Sequence, residues 1–321
     1  MTPPETRTPE QAAAKGLGES SEALPSRRAH HRLAALLALL RPKQWVKNLF
    51  CLAGVLFGAK AGNREALMHA ITAFCAFSAV ASAVYIFNDL MDREADAQHQ
   101  QKRTRPLACG MVHPREAAWL ALLCLGVAGL SVMFLPLPVS GVILAYALLN
   151  IAYTLWLKHT PLIDVMIVAA GFLLRIFAGT EAVHVPASAW ILLCTFFLSL
   201  FLGFAKRRAE LASQGDSGQS REVLLEYSAI LLDRFCYIFA TLSIAAYAIF
   251  TTSITKQGTL ILTCPPVVYG ILRYLWLMDR SQGHEQIEVI LFRDRPIQAA
   301  ILLWIALHLA VIYGGFRLNI Q

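Results

Sequence analysis

Charged residues are scarce in this sequence. They fill 15% of its 321 positions, and 57% are hydrophobic, whereas soluble domains carry about 25% charged and about 45–50% apolar residues. With a mean hydropathy of +0.54, an ordinary water-soluble fold is excluded. Cysteine pairing is missing too. The seven cysteines (Cys51, Cys75, Cys109, Cys124, Cys194, Cys236 and Cys264) form no CxxC, and most lie in apolar stretches. They read as small apolar residues with no disulfide or zinc role. Residues 1–30 are rich in Pro, Ala, Ser and Glu and have no apolar centre, so they do not read as a secretory leader. A disordered cytoplasmic tail over 1–36 is the simplest reading. His113, His284 and His308 stand apart from one another and suggest no metal or nucleophile constellation.

What the chain has instead is long apolar runs. Nine of them, roughly 44–62, 66–88, 115–135, 138–157, 162–180, 188–205, 235–253, 258–278 and 297–316, are about as long as a helix that crosses a bilayer. The expected fold is an all-α polytopic membrane protein with nine spans. Lys and Arg gather at alternate ends of those spans. One side receives Arg41, Lys43, Lys102, Arg103, Arg105, Lys158, Lys206, Arg207, Arg208, Arg293 and Arg295 among others, and the opposite side only Lys60, Arg64, Lys256 and Arg317. That bias predicts a cytoplasmic N-terminus, an outer C-terminus and an inner-membrane location. The net charge of +7 is then mostly topology and requires no nucleic-acid partner. Three connections on the basic side are long, 89–114, 206–234 and 279–296, and long loops on a rigid scaffold are where function concentrates. Gly54 and Gly58 form a GxxxG, which suggests close helix packing.

The first long loop opens with "NDLMDREAD" at 88–96. If the second span continues through it, Asn88, Asp92 and Asp96 project from one face within about 12 Å, because four residues overshoot a turn by only about 40°. Asp89 sits beside them. Carboxylates with an amide suit a hard divalent cation, Mg²⁺ above all, which also takes oxygens from a bound phosphate. Lys102, Arg103 and Arg105 follow at once, as donors for phosphate oxygens. Acidic cluster, metal and basic cluster together describe a diphosphate site. A solvated headgroup loop is the plainer alternative.

The same nine residues match NDxxDxxxD, the first aspartate-rich motif of the UbiA superfamily of intramembrane prenyltransferases, and the resemblance covers about residues 38–318. It implies nine helices around a central cavity that opens to the cytoplasm, with the catalytic domain spanning 37–321. A typical member carries a second acidic motif after its sixth helix. Here that place reads "LGFAKRRAEL", with Lys206, Arg207 and Arg208 instead of aspartates. "RPKQWVKN", "KRTRPLACG", "DVMIVAAGFLLRIFAG", "KRRAEL", "LLEY" and "RDRP" resemble one branch, the decaprenyl-phosphate phosphoribosyltransferases. The branch implies transfer of phosphoribose from 5-phosphoribosyl 1-diphosphate to a polyprenyl phosphate, with Mg²⁺ as cofactor and inversion at C1, feeding arabinose-containing envelope glycans. An aromatic or quinone prenyltransferase of the same fold, and a non-catalytic lipid-phosphate carrier, are the competing readings. Oligomeric state stays open.

Other candidates have two readings each. Lys43 and Lys47, four apart on one face of an α-helix, are either headgroup anchors or phosphate ligands. Asp164 and Arg175 share a face of the fifth span but lie roughly 16 Å apart along it, so they cannot pair; Arg175 either serves the site or neutralises Glu181. Arg273 is expected to snorkel. Glu210 and Tyr227, on the second long loop, are candidates for ribose hydroxyls or metal.

Overall fold

Inside hydrocarbon every backbone N–H and C=O must be bonded within its own segment, so apolar runs of this length fold as helices. The computed structural model describes residues 25–98, 102–213, 222–254, 259–283 and 287–314, and these contain no strand. The elements are α1 (Pro25–Leu40), a 3₁₀ segment (Pro42–Leu52) running into α2 (Ala53–Phe57), α3 (Arg64–Met91), the short α4 (Arg93–Gln98), α5 (Pro114–Val132), α6 (Leu137–Leu155), α7 (Ile163–Ala182), α8 (Ala189–Ala212), α9 (Ala229–Ile254), α10 (Cys264–Arg280), α11 (Ile287–Arg293) and α12 (Arg295–Tyr313). Among the described residues, eight helices are long and apolar enough to cross a membrane: α3, α5, α6, α7, α8, α9, α10 with its leading 3₁₀ turn, and α12. Local chemistry fixes several of their starts. Asn63 Oδ1 accepts from Ala66 N at 3.1 Å, His113 and Glu116 form a capping box ahead of Pro114, and Asp294 Oδ1 accepts from Ile297 N at 2.9 Å.

The first expected span, 44–62, differs from the simple helix that the sequence suggests. Its eleven residues Pro42–Leu52 are wound as 3₁₀, rising about 2.0 Å each, and with α2 they reach about 30 Å, the thickness of a hydrocarbon core. Threefold winding eclipses i and i+3. Trp45, Asn48, Cys51 and Gly54 therefore form one inward edge. Trp45 Nε1 donates to Ser82 Oγ at 3.0 Å and Asn48 Nδ2 to Ser78 Oγ at 3.0 Å. A Cβ on Gly179 would lie 2.0 Å from Cys51 O, and one on Gly54 2.5 Å from Gly179 O. Glycine is required at this crossing because two backbones touch. The shared face expected for Lys43 and Lys47 is corrected by the same winding. Four residues at about 120° each leave them about 120° apart.

α3 and α7 bury 61% and 56% of their apolar windows, whereas α5 and α12 bury 17%; the first two are central and the last two face outward. One core joins α7, α8, α9 and α10 through Val165, Phe201, Phe204, Leu232 and Tyr274, and another joins α3, α6 and α7 through Phe77, Ile143, Tyr146 and Ala178. All seven cysteines are free. The tail expected over 1–36 is corrected at its end, since the chain is already helical from Pro25 and Ala35 and Leu39 pack on Ile86 and Val112. Residues 1–24 of that tail, His284, Lys256, Arg317 and the C-terminal residues lie outside the described residues. Arg273, expected to snorkel, has a partner at the end of a neighbouring span, the cap residue Asp294. Its Nη2 donates to Asp294 Oδ2 at 2.9 Å and its guanidinium lies 4.5 Å from the Trp276 ring centre.

Candidate active site at the basic end of the bundle

The acidic motif sits where α3 ends. Helical winding continues through Met91, relaxes at Asp92 (φ −91°, ψ 5°) and resumes in α4, with Asp96 N bonded to Asp92 O at 2.8 Å. The expected continuation therefore holds but for one residue. The carboxylates divide in two. Asp89 and Asp96, each 3% exposed, share Arg105, whose Nη1 lies 3.1 Å from Asp89 Oδ1 and 2.5 Å from Asp96 Oδ2. Lys102 Nζ stands 3.8 Å from Asp96 Oδ1, and Arg41 Nη2 donates to Asp89 Oδ1 at 2.5 Å. Arg41 has a left-handed backbone, φ 51°, which costs a non-glycine residue about 1 kcal/mol or more; the ion pair and a position 5.0 Å from the Tyr85 ring centre hold it there. Asn88 and Asp92 form the other half. Asn88 Nδ2 donates to Asp92 Oδ2 at 3.1 Å, Lys158 Nζ donates to Asp92 Oδ1 at 2.6 Å, and Thr154 Oγ1 donates to Asn88 Oδ1 at 3.4 Å.

A second cluster lies a few residues along the chain from Lys158. Asp164, fully buried at the start of α7, accepts from Arg207 Nε at 2.7 Å and from Tyr227 OH at 3.5 Å. Arg207 Nη1 also binds Glu210 Oε2, and Tyr227 OH accepts from Leu162 N at 2.6 Å. Burial pushes the Tyr227 phenol up, the Leu162 N–H acts against that, and the Asp164 carboxylate adds to it. Tyr227 therefore keeps its proton and donates it. The connection Leu157–Leu162 is what joins the two clusters, with Lys158 in one and Leu162 N in the other.

The three basic residues after the sixth expected span do not act together. Successive side chains on α8 diverge by about 100°, so Lys206 is exposed, Arg207 points inward to Asp164, and Arg208 Nε donates to Asp233 Oδ1 at 2.9 Å. Arg208 instead lines a cavity of about 330 Å³ with Asp233, Tyr237, Met278, Asp279 and Gln282. Lys43 and Arg103 are exposed, and Lys47 is half-buried. Arg175 joins neither cluster. Its Nε donates to Asn48 Oδ1 at 2.7 Å and its Nη2 to Tyr146 OH at 2.9 Å, not to Glu181. The sequence reading missed the roles of Arg41 and Lys158, which it counted as topological charge, and of Asn48 and Tyr146. A spacing of three in Trp45–Asn48–Cys51 was the available signal.

Among the described residues no three His, Cys, Asp or Glu side chains close on one point, because each half of the acidic motif already faces a basic group. The donor set nonetheless suits a hard divalent ion. It offers carboxylate and amide oxygens alone, and Arg105 marks a point between Asp89 and Asp96 where a positive charge is held.

Residues 48–294 match the model of the UbiA prenyltransferase family. The chain is 35% identical over 291 residues to a decaprenyl-phosphate phosphoribosyltransferase of Mycobacterium tuberculosis, covering 88% of this chain and 96% of that one. It is 34% identical to that of Corynebacterium glutamicum, covering 87% and 86%. A structure of a UbiA homologue from Archaeoglobus fulgidus bound to DMAPP and Mg²⁺ superposes with a TM-score of 0.69 at 19% identity, over 86% of this chain and 98% of that one. Family model, relatives and fold agree, and the chain belongs to the UbiA prenyltransferase family.

Proposed function

We propose that this protein transfers 5-phosphoribose from 5-phosphoribosyl 1-diphosphate to a polyprenyl phosphate. An acceptor phosphate oxygen forms a bond to C1 of the ribose, the bond from C1 to the diphosphate breaks, and inorganic pyrophosphate leaves with inversion. The observation that carries the reading is the set of cations, Arg41, Lys102, Arg105 and Lys158, that pairs with all three aspartates of the acidic motif, Asp89, Asp92 and Asp96. Donor and acceptor together bring a diphosphate, a 5-phosphate and an acceptor phosphate, and neutralising them calls for such a basic surround. Its relatives of 33–35% identity carry the corresponding name.

Asn88, Asp89, Asp92 and Asp96 would hold Mg²⁺, which when bound neutralises the departing diphosphate. The other residues bind and orient. Lys102, Arg103, Arg105, Lys158 and Lys206 offer contacts to phosphate oxygens, and Lys43 and Lys47 stand in the first, basic half of the first span. The acceptor's second pKa is about 6, so at neutral pH it attacks as a dianion and needs little general-base help. Asp164, Arg207, Glu210 and Tyr227 form the wall that positions the donor's ribose end. The site faces the cytoplasm, where the positive-inside bias of Lys and Arg puts it.

The deciding experiment is pyrophosphate release from 5-phosphoribosyl 1-diphosphate by purified protein in nanodiscs, with and without polyprenyl phosphate. Release that depends on the lipid is expected. Prenylation of an aromatic acid with no such release would replace the reading by the prenyltransferase alternative.

A further inference from the structure

A run of eleven residues in 3₁₀ winding is unusual, since such runs rarely exceed about four residues and their hydrogen bonds are poorer than those of an α-helix. Something outside Pro42–Leu52 must favour that winding. Arg175 stands at its middle. The guanidinium is 5% exposed in the interior of the bundle, and among the described residues it pairs with no carboxylate. Its charge is met by three acceptors, Asn48 Oδ1 and Gly171 O at 2.7 Å and Tyr146 OH at 2.9 Å. It is also met by three ring faces, Tyr146 at 4.7 Å, Phe172 at 5.6 Å and Phe77 at 5.8 Å. Asn48 passes the contact on, donating to Ser78 Oγ of α3 at 3.0 Å. The amide is thus gripped from both sides, which fixes its position and the rotation of the segment that carries it.

That rotation matters at the mouth of the site. The same segment begins at Arg41, bonded to Asp89, and carries Lys43 and Lys47. Its far half is pinned where Cys51 meets Gly179. Rewinding from 3₁₀ to α changes the turn by about 20° and the rise by about 0.5 Å per residue. Measured from Cys51, Lys47 would rotate by about 80°, and Lys43 by about 160° with a retreat of about 4 Å. The Arg41–Asp89 contact, two residues further on, would not survive this.

We propose that Arg175 is a positioning residue: through Asn48 it locks the first span in its threefold register and so sets where Arg41, Lys43 and Lys47 stand over the phosphate site. The kinetic part rests on the phosphoribosyl-transfer reading; the register part does not. The test compares Arg175→Met, Asn48→Leu and the double variant with wild type, in protein whose exposed Cys75 and Cys109 have been replaced by serine. Spin labels at Val46→Cys and Met111→Cys, both exposed positions, report the register by the distance between them. Each single variant is expected to move that distance by several ångströms. Each should also raise KM for the donor roughly tenfold with a smaller change in kcat, and the double should be no worse than either single, because one contact is lost in all three.

If Arg175 touched substrate itself, Arg175→Met would raise KM while Asn48→Leu left it near wild type and the label distance unmoved, and the proposal would be overturned. An unmoved distance in folded Arg175→Met overturns it as well. Should Arg175→Met fail to fold, Asn48→Asp decides, since its carboxylate keeps the grip on Arg175; it must retain the wild-type distance while Asn48→Leu loses it. If wild type transfers no phosphoribose while the label distance still shifts in the variants, the function reading has failed and the register assignment stands.

Discussion

Arg207 and Asp164, 43 residues apart in sequence, meet at 2.7 Å with side-chain exposures of 6% and 0%. A guanidinium that sequence comparison would assign to substrate phosphate is thus already bound to a carboxylate of its own chain. Removing Arg207 leaves Asp164 buried with no opposite charge, at a cost of about 3–5 kcal/mol, and neutralising Asp164 leaves Arg207 only its second partner, Glu210. Arg207→Ala and Asp164→Asn are therefore expected to lower the detergent-solubilised melting temperature sharply, and the pair to be strongly non-additive in a double-mutant cycle. Lys206→Ala, at the exposed neighbouring position, should leave the melting temperature in place and act on kcat/KM. Equal melting of all three variants would show that the pair is not structural.

Asp92→Asn and Asp96→Asn should each remove most turnover at modest Mg²⁺, because a neutral amide is a poor ligand for a hard cation. Asp92 is the more exposed of the two, 28% against 4%, so its variant should melt closer to wild type. Turnover titrated against Mg²⁺ for both folded variants is the check; rates near wild type would remove the acidic motif from the reaction.

Gly179→Ala would put a methyl group 2.0 Å from Cys51 O. Backbone on both sides cannot yield as a side chain would, so a loss of about 1–3 kcal/mol is expected. Gly126→Ala, where a Cβ meets nothing within 4 Å, serves as the neutral control. Melting temperatures compare the two, and equal values would place the first span elsewhere.

Orientation is open to labelling. With Cys75 and Cys109 replaced, cysteine at Gln98 should react with an impermeant reagent only from the cytoplasmic side, and cysteine at Gly62 only from outside. Both positions are exposed. Labelling of position 98 in intact cells would invert the topology and move the site to the other face.

Much of this protein is written in one dimension. The helical class follows from apolar runs that must satisfy their backbone internally. The place of the candidate site follows from "NDLMDREAD", where acidic side chains interrupt such a run, and the family follows from the same residues. Periodicity stops there. It holds Lys43 and Lys47 to one face only if the first span is α-helical, and the choice of 3₁₀ is made by contacts with α3 and α7, at Ser82, Ser78, Arg175 and Gly179. Nor do three adjacent basic residues announce which of them turns into the bundle. Lys206, Arg207 and Arg208 look alike as a string, but the turn of α8 sends them in three directions, and Asp164 and Asp233, from other helices, take two of them. Ion pairing in the bundle is a property of which helices become neighbours, and that is set by packing across tens of residues, beyond the reach of any local pattern.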